Sequence, residues 1–113
     1  MTGKPARHEV LLTEDAQRDL EELYDYVAEH DAPAKAEHLL AAIEKLLGTL
    51  VIFPERNPVT KELQSVGIRD YRETYFKPYR VIYRVAGTRV YVYLIVDGRR
   101  DMQALLMRRL LRS

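Results

Sequence analysis

The sequence predicts an α+β fold: an N-terminal strand, an antiparallel helical hairpin packed on a small antiparallel sheet, and a short C-terminal helix. Three observations predict it. Apolar residues recur at spacings of three and four across residues 16–27 and again across 36–50, the signature of two amphipathic helices. Two alternating runs, Tyr79–Val85 and Val90–Val96, flank a short turn containing Gly87, which is a β-hairpin pattern. Only a few residues around Asp31 separate the two helical stretches, so they pack as antiparallel neighbours.

Residues 1–6 carry no apolar pattern and are expected to be a loose tail. His8–Leu12 is expected to be a strand. Thr13 suits a helix N-cap, where its hydroxyl accepts from an orphan backbone N–H, and Glu14 and Asp15 then place negative charge in the first turn. Ala16, Leu20, Leu23, Tyr24 and Val27 form the apolar face to about His30. Asp15, Asp19, Glu22 and Asp25 are expected on a solvated face. Asp31 is expected to cap the second helix, with Pro33 tolerated in its first turn. Its stripe is Ala36, Leu39, Leu40, Ile43, Leu46, Leu47 and Leu50, and Phe53-Pro54 stops it. A loop over 54–67 holds a helical turn near Thr60–Gln64. Ile68–Phe76 is expected to be a strand, and residues 102–113 a helical tail.

An even hairpin loop, either Ala86-Gly87 or residues 86–89, places Tyr79, Val81, Tyr83 and Val85 on one face with Val90, Val92, Leu94 and Val96. The other face then carries Arg80, Ile82, Arg84, Tyr91, Tyr93 and Ile95. An odd loop would drive arginine into the core. One face packs on the helices. The other is expected to be an exposed mixture of arginine, tyrosine and isoleucine.

The 113 residues are expected to form a single domain. Cysteine is absent, which excludes disulfides, thiolate metal sites and a cysteine nucleophile. No apolar run approaches the roughly 18 residues needed to span a bilayer. The N-terminal residues lack the apolar core of a signal peptide, so a cytoplasmic location is expected. The net charge of +1 conceals a polarity. Residues 1–55 carry five Lys/Arg and twelve Asp/Glu, a balance of −7, and residues 56–113 carry thirteen and five, a balance of +8. Such a split suits a polyanion, an acidic partner, or pairing of the halves within the fold. Phosphate loops, G-x-S-x-G and H-E-x-x-H motifs are absent. His8, His30 and His38 all lie in the acidic half, and surface histidines are far commoner than a metal site built from them. No catalytic residue, metal or cofactor is assigned.

Several segments in order resemble a known family. They are Leu12-Thr13-Glu14-Asp15-Ala16 with Asp19-Leu20 and Tyr24-Asp25-Tyr26-Val27, then Phe53-Pro54, Gly67-Ile68-Arg69, Tyr79-Arg80-Val81-Ile82-Tyr83 and Gly98-Arg99-Arg100-Asp101. Over residues 8–101 the chain resembles the ParE/RelE toxins of bacterial type II toxin–antitoxin modules, also called plasmid-stabilisation proteins. The resemblance implies one of two activities. ParE-like members inhibit DNA gyrase by protein–protein contact, and RelE-like members are ribosome-dependent mRNA endoribonucleases that use basic residues and a C-terminal tyrosine. Arg80 and one of Arg99 and Arg100 match basic positions of the nuclease branch. The late tyrosine is missing from Met102–Ser113, Lys61 and Lys77 are the only lysines near the central strand, and Asp97 stands where many relatives have histidine. The expectation is therefore a ParE-like, non-enzymatic toxin, with the RelE-type nuclease as alternative. Arg80, Arg84, Arg99 and Arg100 are expected to contact the target. Ile82, Tyr91, Tyr93, Leu105 and Leu110 are expected to bind a cognate antitoxin as a hetero-oligomer. Operator DNA is expected to be bound only through that complex.

Overall fold

The computed structural model describes residues 6–111. All but Ala6 of the expected tail at 1–6, and the last residues of the helical tail, lie outside that range. Strand β1 (Glu9–Leu12) leads into helix α1 (Glu14–His30) and helix α2 (Pro33–Gly48). After two short 3-10 turns and a one-turn helix α3 (Lys61–Gln64) come strands β2 (Tyr71–Phe76), β3 (Tyr79–Ala86) and β4 (Arg89–Asp97). Helix α4 (Met102–Leu111) closes the described chain. The sheet order is β1-β4-β3-β2. β2, β3 and β4 are antiparallel neighbours, while β1 runs parallel to β4, so the sheet is mixed.

The local signals act as the residues dictate. The Thr13 hydroxyl accepts from the Ala16 backbone N–H at 3.1 Å and starts α1. Asp31 does not cap α2. Its backbone N–H closes α1 onto the Val27 carbonyl, and its carboxylate pairs with Lys35 at 3.1 Å. Ala32 holds the N-cap position, and Pro33 alone sets the first-turn geometry. α2 ends at Gly48, five residues before Phe53, because the chain tightens into a 3-10 turn at Thr49–Val51. β2 begins at Tyr71 rather than Ile68, since Ile68 packs instead against the residues beneath α4.

Phe53 has φ 61° and ψ 46°, the left-handed region. A bulky residue there costs about 1–3 kcal/mol and persists only where its surroundings dictate it. The α region is already disfavoured before Pro54. The loop beyond is tied down at several points. The buried Tyr83 hydroxyl donates to the Pro54 carbonyl and accepts from Asn57 Nδ2 at 2.9 Å. Arg72 Nη1 donates to the Asn57 carbonyl at 2.6 Å. Glu73 N–H donates to the Pro58 carbonyl, and Thr60 N–H to that of Tyr71.

The hairpin turn is Gly87-Thr88, between the Ala86–Arg89 pair, with Gly87 at φ 63°. The expected faces hold from the turn as far as Tyr83 opposite Val92. There the register slips: Ile82 pairs with Leu94, leaving Tyr93 as an extra residue in β4. This β-bulge corrects the sequence reading. Beyond it Ile95, not Leu94 or Val96, faces the helices. A bulge shifts the two-residue alternation by one and swaps the faces of everything after it.

The result is two cores on opposite faces of one sheet. Ala16, Leu39, Ile43, Leu50, Val81, Tyr83, Val90, Val92 and Ile95 form the larger, between sheet and helical hairpin. Leu63, Ile82, Leu94, Val96, Met102 and Leu106 form the smaller, covered by α3 and α4. Each fully buried aliphatic side chain contributes about 1.5–3 kcal/mol. The second core explains why α4 folds back on the sheet.

Candidate functional site

β1 ends at Leu12 while β4 continues to Asp97, so later backbone groups of β4 need other partners on that side. Asp19 of α1 accepts from the Ile95 N–H at 3.0 Å, and Arg109 of α4 donates to the Tyr93 carbonyl at 2.7 Å. The two side chains also meet each other through paired bonds of 2.9 and 3.0 Å. Asp19 is therefore buried and structural, contrary to the solvated face expected for it, and Asp15 also approaches Arg109 at 3.6 Å.

Arg80 is the next departure. Its guanidinium forks onto Glu62 at 2.8 and 2.9 Å and also bonds Glu73. Its side chain is only 13% exposed. Hydrogen bonding from Arg80 holds the Glu62 carboxyl below the usual carboxylate range. Gly98 makes this arrangement possible, because a Cβ there would lie 2.5 Å from Arg80 Cδ and 3.1 Å from the Pro78 carbonyl. The glycine of the Asp-Gly-Arg-Arg segment thus serves the packing of Arg80.

The other expected target cations are exposed but divided. Arg99 folds back on Asp97, with bonds of 2.6 and 3.0 Å, and remains 77% exposed. Hydrogen bonding from Arg99 depresses the Asp97 carboxyl. Arg100 is exposed beside it. Both line a cleft of about 400 Å³ with Tyr26 and Tyr79. Arg99 also borders an open depression of about 540 Å³ with Lys61, Tyr75, Lys77 and Arg80. Arg84 is exposed near the other end of β3, about 13 Å from Arg80 at strand rise. The structure therefore gathers Arg80, Arg99 and Arg100 but leaves Arg84 apart.

The residues expected to bind an antitoxin are covered to differing degrees. Ile82 is fully buried within the second core. Leu105 and Leu110 pack against that core, and Tyr93 meets Tyr71 edge-to-face at 5.4 Å. Tyr91, Tyr93, Leu105 and Leu110 are half-buried. The apolar face expected to lie open is thus largely occupied by the chain's own α4. Exposed apolar surface lies instead at Tyr75 and Phe76 of the edge strand, where a groove of about 480 Å³ runs against Ala41, Ala42 and Leu46 of α2. Sequence reading missed this groove, although the Tyr75-Phe76 pair at the end of a strand was its visible signal.

Residues 10–102 match the family model described as ParE toxin of type II toxin–antitoxin system, parDE. The chain belongs to the ParE toxin family. Among curated ParE proteins, Toxin ParE3 of Caulobacter vibrioides is 30% identical over 95 residues, covering 84% of this chain and 91% of that protein. The solved chromosomal ParDE toxin–antitoxin system from P. aeruginosa is similar in fold, with a TM-score of 0.68 at 18% identity, covering 81% of this chain and 97% of that one. The RelBE2 toxin–antitoxin complex from Mycobacterium tuberculosis gives 0.58 at 25% identity, covering 85% and 97%. The ParE assignment agrees with the order of segments read from the sequence.

Proposed function

We propose that this ParE-family toxin inhibits DNA gyrase by protein–protein binding and is neutralised by a cognate antitoxin. The observation that carries the reading is the state of Arg80. RNA cleavage needs cations at the phosphate together with a proton acceptor and a donor. Arg80, which with one of Arg99 and Arg100 matches the basic positions of the nuclease branch, is engaged by two carboxylates and mostly buried. The absence of a tyrosine after Tyr93 supports the same reading. Arg99 and Arg100, exposed beside Tyr26 and Tyr79, have the composition of a protein-binding anchor. Arg84, distant from them, forms a separate contact. The antitoxin engages the half-exposed flank of Tyr91, Tyr93, Leu105 and Leu110, while Ile82 stays out of reach as long as α4 is docked. Operator DNA is bound through the antitoxin.

The test is direct. Purified toxin should inhibit gyrase supercoiling or trap a cleaved complex, and should leave ribosome-bound mRNA intact. Arg99→Ala and Arg100→Ala should each weaken inhibition, by roughly 1–3 kcal/mol of binding. The RelE-type reading retains one support, the depression shared by Lys61, Lys77, Arg80 and Arg99. Ribosome-dependent mRNA cleavage that disappears with Arg80→Lys in a folded protein would establish it instead.

A further inference from the structure

At the corner where β2 begins and β3 ends, Arg69, Arg72 and Arg84 line a small polar depression of about 200 Å³ together with Glu55 and Asp70. Beside Glu55 in the same loop stands Arg56, whose guanidinium lies 3.9 Å over the ring of Phe53. None of the ion pairs among the described residues uses any of these four arginines. Arg80, Arg99 and Arg109 all hold carboxylates, whereas at this corner Arg72 donates to the Asn57 carbonyl, Arg84 bonds Tyr71 and Arg56 covers Phe53, so the charge of the four is not neutralised by an ion pair. Phe53 is 44% exposed and Ile52 36% exposed. The loop after Phe53 is anchored through Tyr83 and Asn57, and Phe53 itself sits in the left-handed region. Strained residues cluster at contact and switch sites, and this one carries a part-exposed aromatic ring.

The geometry points to a docking site at this corner for an acidic, apolar segment of a partner protein. Guanidinium groups take carboxylates in paired hydrogen bonds, and an adjacent aromatic supplies the apolar anchor. A nucleic acid fits less well. No lysine lines the depression, and Arg56 already covers a face of the Phe53 ring that a base would stack on. The site is separate from the Arg99–Arg100 surface and needs neither the gyrase nor the antitoxin reading to hold.

The experiment titrates the full chain into a fluorescein-labelled peptide of alternating glutamate and leucine, and follows anisotropy. Parallel titrations use the glutamine counterpart of the peptide and a labelled polyuridylate strand. Saturable binding of the glutamate peptide is expected, weakened at least about tenfold by the double substitution Arg69→Ala with Arg84→Ala and unchanged by Arg108→Ala on α4. Phe53→Gly should weaken binding too, while leaving thermal stability equal or higher, since glycine accepts the left-handed backbone freely. The proposal is overturned if the peptide does not bind, if the glutamine peptide binds equally well, or if the arginine pair can be removed without effect. Tighter binding of polyuridylate through the same arginines would overturn it as well and assign the corner to nucleic acid.

Discussion

Asp19 and Arg109 lie 90 positions apart in sequence and join α1, β4 and α4 at one point. Removing one member of such a pair strands the other and also frees a backbone group. Asp19→Ala should therefore destabilise the fold by about 3 kcal/mol in chemical denaturation. Arg109→Met fills the space but leaves the buried Asp19 carboxylate with the Ile95 N–H and frees the Tyr93 carbonyl, so it should cost a similar amount. A shared cost near zero for Asp19→Ala would show that the pair is dispensable. Glu62 supports a second expectation. Its folded-state titration is shifted down from the ordinary value of 4.5 by the bond from Arg80. Its contribution is complete above the unfolded carboxylate value and is lost as pH falls through the folded one. Stability should thus decline on acidification below about pH 4.5, and Glu62→Gln should flatten that slope. An unchanged acid limb in the variant would assign the decline to other carboxylates. At this scale Thr13 was legible because an N-cap is a local event. Asp19 was not, because nothing in residues near it announces a partner at Arg109. Arg80 was legible as an unusual residue in a strand, but its carboxylate partners were not.

Elements were readable where a period could be counted over several turns. α1, the one-turn helix near Thr60 and the terminal helix occur where the sequence places them, and α2 does so up to Gly48, short of the Phe53-Pro54 stop. The bulge at Tyr93 was hidden because the run Val90–Val96 is apolar or aromatic at every position. Such a run permits either face to turn inward, so alternation carries no information about where the phase slips. The same ambiguity made α4 look like an exposed tail. Its residues Leu105, Leu106 and Leu110 complete a core whose other half, Ile82, Leu94 and Val96, becomes apparent only after the slip. Ending the chain at Asp101 should therefore uncover Ile82, Leu94 and Leu63. The shortened protein should bind the dye ANS and unfold at a lower temperature than the full chain. If it keeps the thermal midpoint and stays dye-negative, the second core contributes nothing to the fold.

For the molecule as a whole, the acidic half and the basic half do pair, but only in part. Asp15 and Asp19 take Arg109, and Glu9 meets Arg89 at 3.3 Å. Arg80 is neutralised from within the basic half, by Glu62 and Glu73. Exposed charge outside those pairs includes Arg100 at the tip beside Arg99 and Arg69 and Arg84 at the corner they share with Arg72. The order of segments carried the family because each marks a structural junction: strand to helix, helix stop, strand entry and strand exit. Surface roles were less legible, because exposure depends on which distant element covers a face.

The extra residue in β4 has a consequence for how this chain can change. Up to Val92 the strand serves one core, and from Leu94 onward its alternation serves both cores in the opposite phase. Loss of the extra residue Tyr93 itself would close the bulge and leave Val92, Leu94, Ile95 and Val96 on the faces they occupy now, whereas a loss elsewhere in the strand would turn one half inside out unless the bulge absorbed it. The strand thus has one place where its length can change without exchanging its two cores.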